Sequence, residues 1–203
     1  MMYGMNLILA TMTGDLVTPF GVYFKFQSFI FMPAFGLNNA LVPIIGFSYG
    51  AKQRDRIMEG LRWGLTDGLI LMGTGILLIQ CFAGQVVGLF QVSEEVKESA
   101  KLALRVISTG YLFTGVNIVL QGFCQALGNG VYSLIISLLR MIVVLLPLAW
   151  LMAATGHSTA VWASLPIAEL AAMVAAIIMA RKLIVTRVNK LENPACTLNK
   201  GEV

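Results

Sequence analysis

Two charged residues inside long apolar stretches, Arg140 and Glu169, are the side chains of this sequence best able to do chemistry. Ionisable groups at membrane depth are costly, so they tend to face a cavity or a charged partner. Arg140 lies well inside its apolar run, and Glu169 is the deepest carboxylate. A pair between them on adjacent antiparallel helices is geometrically possible. Two interpretations stay open, a structural ion pair and a role in proton or substrate binding.

Lys25 is a third charge within an apolar segment, close to Gln27 and Ser28. Lys25 and Ser28 share one helical face because they are three residues apart. The lysine either extends its stem to the outer membrane interface or presents a cation to an aqueous cleft. Arg62 and Asp67 lie nearer a predicted membrane edge and are interpreted as interfacial.

Neutral polar residues recur along one predicted helix at Thr114, Asn117, Gln121 and Gln125. Spacings of three, four and four residues place them on one face. Such side chains either hydrogen-bond to a neighbouring helix or line a water-filled path. Both interpretations remain open for this face.

Residue types typical of enzymes, metal sites and nucleic-acid binding are sparse. Cys81, Cys124 and Cys196 are isolated and have no CxxC spacing, so neither a disulfide framework nor a metal site is expected. The single histidine, His157, has no second ligand at helical spacing. The basic residues lie at membrane edges and form no patch with interleaved aromatics, which argues against nucleic-acid binding. We therefore expect no enzyme activity and no nucleic-acid partner.

Long runs without Asp, Glu, Lys or Arg define the elements that must position these side chains. They are 26–51, 68–93, 106–139, 141–168 and 170–180. About 20 predominantly apolar residues suffice for one helical membrane span. Hydrophobic residues make up 58% and charged residues 12% of the chain, whereas soluble domains have roughly 25% charged residues. The chain is thus predicted to be an all-α, polytopic membrane helix bundle in contact with the lipid bilayer.

The predicted organisation is a membrane domain at 1–192 and a cytoplasmic tail at 193–203. Its helices are expected at 1–13 (partial), 18–49, 56–90, 94–127, 131–154 and 160–188, which gives about five full spans. The first apolar stretch is too short to cross a bilayer. Either it is a re-entrant piece or Met1 is an internal methionine of a longer protein, and we favour the second. Helix breakers at Pro33, Gly36 and Pro43 predict one long kinked helix or two short pieces. Pro147 predicts a kink after Arg140.

Basic residues predict the orientation of the chain. Lys52, Arg54 and Arg56 follow the second helix, and five more Lys and Arg lie in 181–203. The positive-inside rule makes both regions cytoplasmic.

Several short motifs occur in the order and spacing of one transporter family. They are Met32-Pro33 with the run 41–51 followed by Arg54 and Arg56, then Gln125-Ala126-Leu127-Gly128, then Arg140 with Leu146-Pro147, then Trp162 with Pro166 and Glu169. This pattern, which covers nearly the whole chain, resembles the multidrug and toxic compound extrusion (MATE) family. The first motif is similar to the stretch after that family's eighth helix, and the others to its last three helices.

The resemblance implies one lobe of a two-lobe antiporter in the plasma membrane. Such a transporter has twelve helices and exports small amphipathic, cationic substrates in exchange for H⁺ or Na⁺. The chain would be the second lobe, starting within the seventh helix, and its main partner would be the missing N-terminal lobe, in the same or a second chain. No other cofactor is implied, and a lone lobe is expected not to transport. No ion-site residue is carried over from the family pattern. The charged and polar positions within the predicted spans give the candidate cleft or transport residues, which are Lys25, Gln27, Asn117, Gln121, Gln125, Arg140 and Glu169.

Two departures from the family pattern leave the coupling ion open. The first-lobe carboxylate lies outside this chain, and Thr114, Asn117 and Gln121 stand where sodium-coupled members tend to have an acidic residue. A lipid-linked saccharide flippase of related architecture is one alternative, although it would need more deep cations than Lys25 and Arg140. A structural or channel subunit is another alternative, for which the sequence offers no positive signature.

Overall fold

The structure, a computed structural model, describes residues 1–12, 16–88, 94–154 and 157–191. These residues are almost entirely helical and contain no strand, which confirms the all-α prediction. The predicted tail at 193–203 lies outside the described residues, as do the predicted helix ends at 13 and at 89–90.

Eight α-helices and two π turns follow one another along the described chain. They are α1 Met2–Ala10, α2 Val17–Gly50, α3 Arg54–Gly88, α4 Glu94–Ser108, α5 Tyr111–Ala126, α6 Gly130–Leu138, the π turn Leu139–Val143, α7 Leu145–Ala153, α8 Ser158–Leu183 and the π turn Ile184–Val188. Within the described residues, four stretches are long and apolar enough to cross a membrane, and the bent pair α4–α5 makes a fifth. The expectation of about five spans after a partial first helix is confirmed.

Helix α2 runs without a break through Pro33, Gly36 and Pro43. Of the two alternatives left open by these residues, the structure has the single long helix. Pro33 and Pro43 both lie on its exposed side. A proline there deprives the helix of a backbone donor without pushing its ring into a neighbouring helix.

The segment 94–127, predicted as one helix, is two helices in the structure. Helices α4 and α5 meet at an angle of 50°. The close packing of Gly110 against α8 explains the position of the bend, since a Cβ at Gly110 would lie only 3.0 Å from the Cα of Pro166. Thr109 and Gly110 continue the chain with short i to i−3 hydrogen bonds to Val106 and Ile107.

The span predicted at 131–154 contains a π turn that the sequence analysis did not predict. The backbone N–H of Val144 donates to the carbonyl of Leu139 at 3.0 Å, one residue further back than in an α-helix. Pro147 follows in the first turn of α7, where a missing N–H is tolerated. A π turn of this kind is often found at a functional site.

Glycines allow α3 and α5 to approach each other closely. A Cβ added to Gly115 would lie 3.0 Å from the carbonyl oxygen of Gly68 and 2.9 Å from Cγ of Met72. Small residues at such contacts are typical of helices that associate in lipid. The outer surface is apolar, with Phe29, Phe47 and Ile178 largely exposed, as expected for helices that face acyl chains.

Candidate functional site

Three polar side chains from three different segments meet inside the bundle. Arg140 Nε lies 3.6 Å from Oε1 of Glu169, and both side chains are largely buried. The amide nitrogen of Asn117 donates to Oε2 of Glu169 at 2.9 Å and to its backbone carbonyl at 3.1 Å. We call Arg140, Glu169 and Asn117 the polar cluster. It brings together the two residues whose pairing the sequence analysis considered possible.

The local fold explains how the cluster forms. Arg140 belongs to the π turn between α6 and α7, Glu169 to α8 and Asn117 to α5. The extra residue of a π turn changes the direction of the side chains on either side of it. Arg140 is buried, whereas the next three residues, Met141 to Val143, are exposed.

The rest of the polar face of α5 joins α5 to α6. The Gln121 side-chain amide donates to the Ser137 hydroxyl at 2.9 Å, and the Gln125 amide donates to the Ser133 hydroxyl at 2.8 Å. These contacts correspond to the interhelical interpretation of that face. Thr114, one turn before Asn117, donates to the Gly110 carbonyl and lines a cavity.

This cavity has a volume of about 340 Å³ and is lined mainly by apolar side chains. Arg140 and Glu169 contribute to its wall together with Gln27 and Ser28 of α2. The remaining lining residues are Met1, Tyr23, Phe24, Phe31, Met32, Phe35, Ile107, Gly110, Tyr111, Thr114, Met141, Leu145, Leu165 and Ala168. An ion pair in an apolar pocket can bind a polar head group while the walls bind an apolar body.

The aromatic wall of the cavity was not predicted from the sequence. The rings of Phe31 and Tyr111 meet edge to face with their centroids 5.1 Å apart. The spacing of Phe24, Gln27, Phe31 and Phe35 at three, four and four residues could have indicated a shared helical face. That signal was obscured because almost every neighbouring residue of α2 is also apolar.

The predicted cleft residues do not all meet at one place. Gln27, Arg140 and Glu169 line the cavity and Asn117 contacts Glu169, whereas Lys25, Gln121 and Gln125 are absent from the lining. Lys25 is exposed on the surface of α2. Within the described part of the chain, no three His, Cys, Asp or Glu side chains come together as a metal site.

The fold and the site define a polytopic helical membrane protein with a buried ion pair beside a partly open, apolar cavity. The model of the MatE family matches residues 2–151. The chain therefore belongs to the MatE family, and the resemblance noted in the sequence is confirmed.

Curated relatives are similar to most of this chain, but the chain corresponds to less than half of each of them. The multidrug export protein MepA of Staphylococcus aureus strain bovine RF122 / ET3-1 is 26% identical over 181 residues, which are 86% of this chain and 38% of MepA. MepA of Staphylococcus saprophyticus is 24% identical over 192 residues, which are 93% of this chain and 42% of that protein.

Solved structures have the same fold. An inward-facing multidrug resistance MATE family transporter of the MOP superfamily superposes with a TM-score of 0.88 at 20% identity, covering 94% of this chain and 44% of the transporter. The outward-facing conformation of a MATE family transporter superposes with a TM-score of 0.87 at 21% identity, covering 93% of this chain and 43% of the transporter.

Proposed function

We propose that this chain forms one lobe, the second, of a multidrug efflux antiporter in the plasma membrane. The transporter would export small amphipathic, chiefly cationic compounds in exchange for H⁺ or Na⁺. The observation that carries this proposal is the buried pair of Arg140 and Glu169 on the wall of an apolar cavity in a chain of the MatE family. The relatives named multidrug export proteins support drug export as the activity of the whole transporter.

Glu169 is the proposed coupling residue of this lobe. Its carboxylate is largely buried and contacts both a cation, Arg140, and a donor, Asn117. A proton or Na⁺ arriving at the carboxylate would compete with the Arg140 guanidinium and weaken the link between α8 and the π turn. Binding of the ion would thereby be coupled to packing around the cavity, which a coupled transporter requires.

A second lobe is required in this proposal. Alternating access in such transporters is a rocking of two bundles around a site between them, and the chain spans about two fifths of the curated relatives it matches. We expect no transport by this chain alone. The other lobe would come from the same reading frame or from a second chain.

The proposed orientation places the α2–α3 connection and the C-terminal end of α8 in the cytoplasm. Lys52, Arg54 and Arg56 lie at the first site, and Arg181, Lys182 and Arg187 at the second. Lys52→Cys and Lys97→Cys, each introduced as the single cysteine after Cys81, Cys124 and Cys196 are replaced by serine, would test this orientation. In intact cells an impermeant maleimide should label only the cysteine at 97, and labelling at 52 would refute the orientation.

Transport in proteoliposomes tests the function. The transporter assembled with its other lobe should drive ethidium uptake into inside-out vesicles under an imposed pH or Na⁺ gradient. Glu169→Gln should abolish the gradient dependence, whereas Glu59→Gln, on the exposed part of α3, should preserve it. Transport by this chain alone would refute the two-lobe requirement, and a gradient response that survives Glu169→Gln would refute the role of Glu169.

A further inference from the structure

Arg140 has hydrogen-bonding capacity that no described residue uses. The residue is 8% exposed, and its Nη1 has no hydrogen-bond partner among the described residues. Its contact with Glu169 runs through Nε, at 3.6 Å. A buried donor without an acceptor is costly, so an acceptor that enters the cavity from outside the protein would relieve that cost.

The geometry of the guanidinium favours one kind of acceptor. Its planar array of N–H groups matches the two oxygens of a carboxylate better than a single carbonyl does. Glu169 balances the charge of Arg140, and both of its carboxylate oxygens already have partners, Arg140 and Asn117. This wall therefore offers a donor, Nη1, that has no partner among the described residues, and offers no unused acceptor of Glu169 to an ammonium group. A monocarboxylate adds one negative charge to the balanced wall, whereas a doubly charged phosphate would add two.

The other walls favour a flat apolar body attached to that carboxylate. Phe31 and Tyr111 present an edge-to-face pair, while Met32, Phe35 and Leu145 complete the apolar surface. Aromatic and methionine side chains adapt well to planar ligands. The volume of about 340 Å³ is near the lower end of the usual range for small-molecule pockets, roughly 300–1,000 Å³, which suits one or two fused rings.

We propose that this cavity binds amphipathic monocarboxylic acids, with the carboxylate at Arg140 and the ring system between α2 and α5. This ligand class differs from the cationic substrates proposed above. The inference rests on the proposed function only in that the cavity must admit small molecules. It concerns binding to this lobe and requires no transport cycle.

Binding of three probes of matched shape to the full chain in lipid nanodiscs tests the inference. The probes are 2-naphthoate, methyl 2-naphthoate and 2-naphthylmethylammonium, measured by equilibrium dialysis. We expect 2-naphthoate to bind about 10-fold or more tightly than the other two, because only it can accept a charge-assisted hydrogen bond from Arg140 with an ionised group. Equal or tighter binding of the ammonium probe would overturn the proposal.

Variants then locate the site. Arg140→Gln should weaken binding of 2-naphthoate by about 10- to 100-fold. Arg140→Lys should give an intermediate loss, because lysine keeps the positive charge but lacks the planar array of N–H groups. Arg62→Gln makes the same change at an exposed position of α3 and should stay within about twofold. Phe31→Ala should weaken all three probes.

The result stays decisive if Arg140→Gln does not fold, as judged by circular dichroism, since the probe ranking on the unmodified chain and the Arg140→Lys variant remain. Unchanged binding of 2-naphthoate to a folded Arg140 variant would overturn the proposal. Loss of ethidium transport with naphthoate binding intact would refute only the proposed function. Ethidium transport without selective naphthoate binding would refute only this inference.

Discussion

Arg140 and Glu169 form an ion pair between the π turn and α8, with Nε and Oε1 3.6 Å apart and both side chains largely buried. They are 29 residues apart in the sequence, and the connection between them includes α7 and the first part of α8. The pair therefore links two spans near the middle of the bundle. Each partner compensates a charge that the apolar surroundings would otherwise disfavour.

Removal of one partner of this pair should cost more than removal of both. Arg140→Met or Glu169→Leu alone leaves an uncompensated buried charge and should lower the free energy of unfolding by about 3–5 kcal/mol. The double variant should lose clearly less than the sum of the single losses. Unfolding in nanodiscs, followed by circular dichroism, measures all three. Additive losses would show that the two charges do not interact.

Conversion of Asn117 to an acid should destabilise the contact between α5 and α8. Asn117→Asp places a second carboxylate where an amide donor lies 2.9 Å from Oε2 of Glu169. Asn117→Ala is the control, because it removes the donor without adding a charge. The melting temperature should fall more for Asn117→Asp than for Asn117→Ala, since only the former adds repulsion between two carboxylates. Equal melting temperatures of the two variants would contradict this placement of Asn117.

The two glutamine–serine contacts should contribute modest, separate coupling between α5 and α6. Polar pairs between membrane helices average about 0.6 kcal/mol and reach about 1.7 kcal/mol. Double-mutant cycles on Gln121→Leu with Ser137→Ala, and on Gln125→Leu with Ser133→Ala, should each give coupling in that range. A crossed cycle, Gln121→Leu with Ser133→Ala, is the control and should give none. Equal coupling in the crossed cycle would mean that the helices respond as a whole.

Two glycines offer a matched test of helix packing. Gly115→Ala should destabilise the bundle by about 1–3 kcal/mol, because its Cβ would lie 3.0 Å from the backbone oxygen of Gly68. A Cβ added at Gly73 would have no atom within 4 Å apart from the neighbouring backbone of its own helix. Gly73→Ala should be neutral or stabilising by up to about 1 kcal/mol, since alanine favours helix more than glycine does. Thermal unfolding of both variants decides, and a tolerated Gly115→Ala would show that α3 and α5 can separate at little cost.

Arg187, in the π turn that follows α8, should stabilise the turn between α5 and α6 through two hydrogen bonds. Its Nη1 donates to the Leu127 carbonyl at 2.8 Å and its Nη2 to Oδ1 of Asn129 at 3.3 Å. Arg187→Gln should raise amide hydrogen exchange at 128–132 because the turn loses both contacts. Arg181→Gln, an exposed change on α8, is the control. Equal exchange in the two variants would contradict the assignment.

The span pattern was predictable because apolar runs free of charge report directly on the membrane environment. The pairing of Arg140 with Glu169 was considered for a similar reason, since buried charges require partners. The bend at Gly110 was not predicted, because it depends on the approach of Pro166 from another helix. The π turn was not predicted either. One extra residue would shift the helical period, but the sequence on both sides is so uniformly apolar that no polar pattern shows the shift.

The π turn at Leu139–Val143 also affects how this span can be compared with those of other family members. Each residue turns an α-helix by about 100°, so one additional residue rotates everything beyond it by that amount. In a relative without the π turn, the segments that correspond to α6 and α7 would form one continuous α-helix. An ungapped alignment would then match residues in one half of the span to residues on a different face of the helix. A one-residue gap near Arg140 is therefore as informative as a substitution when the interior of this lobe is compared across the family.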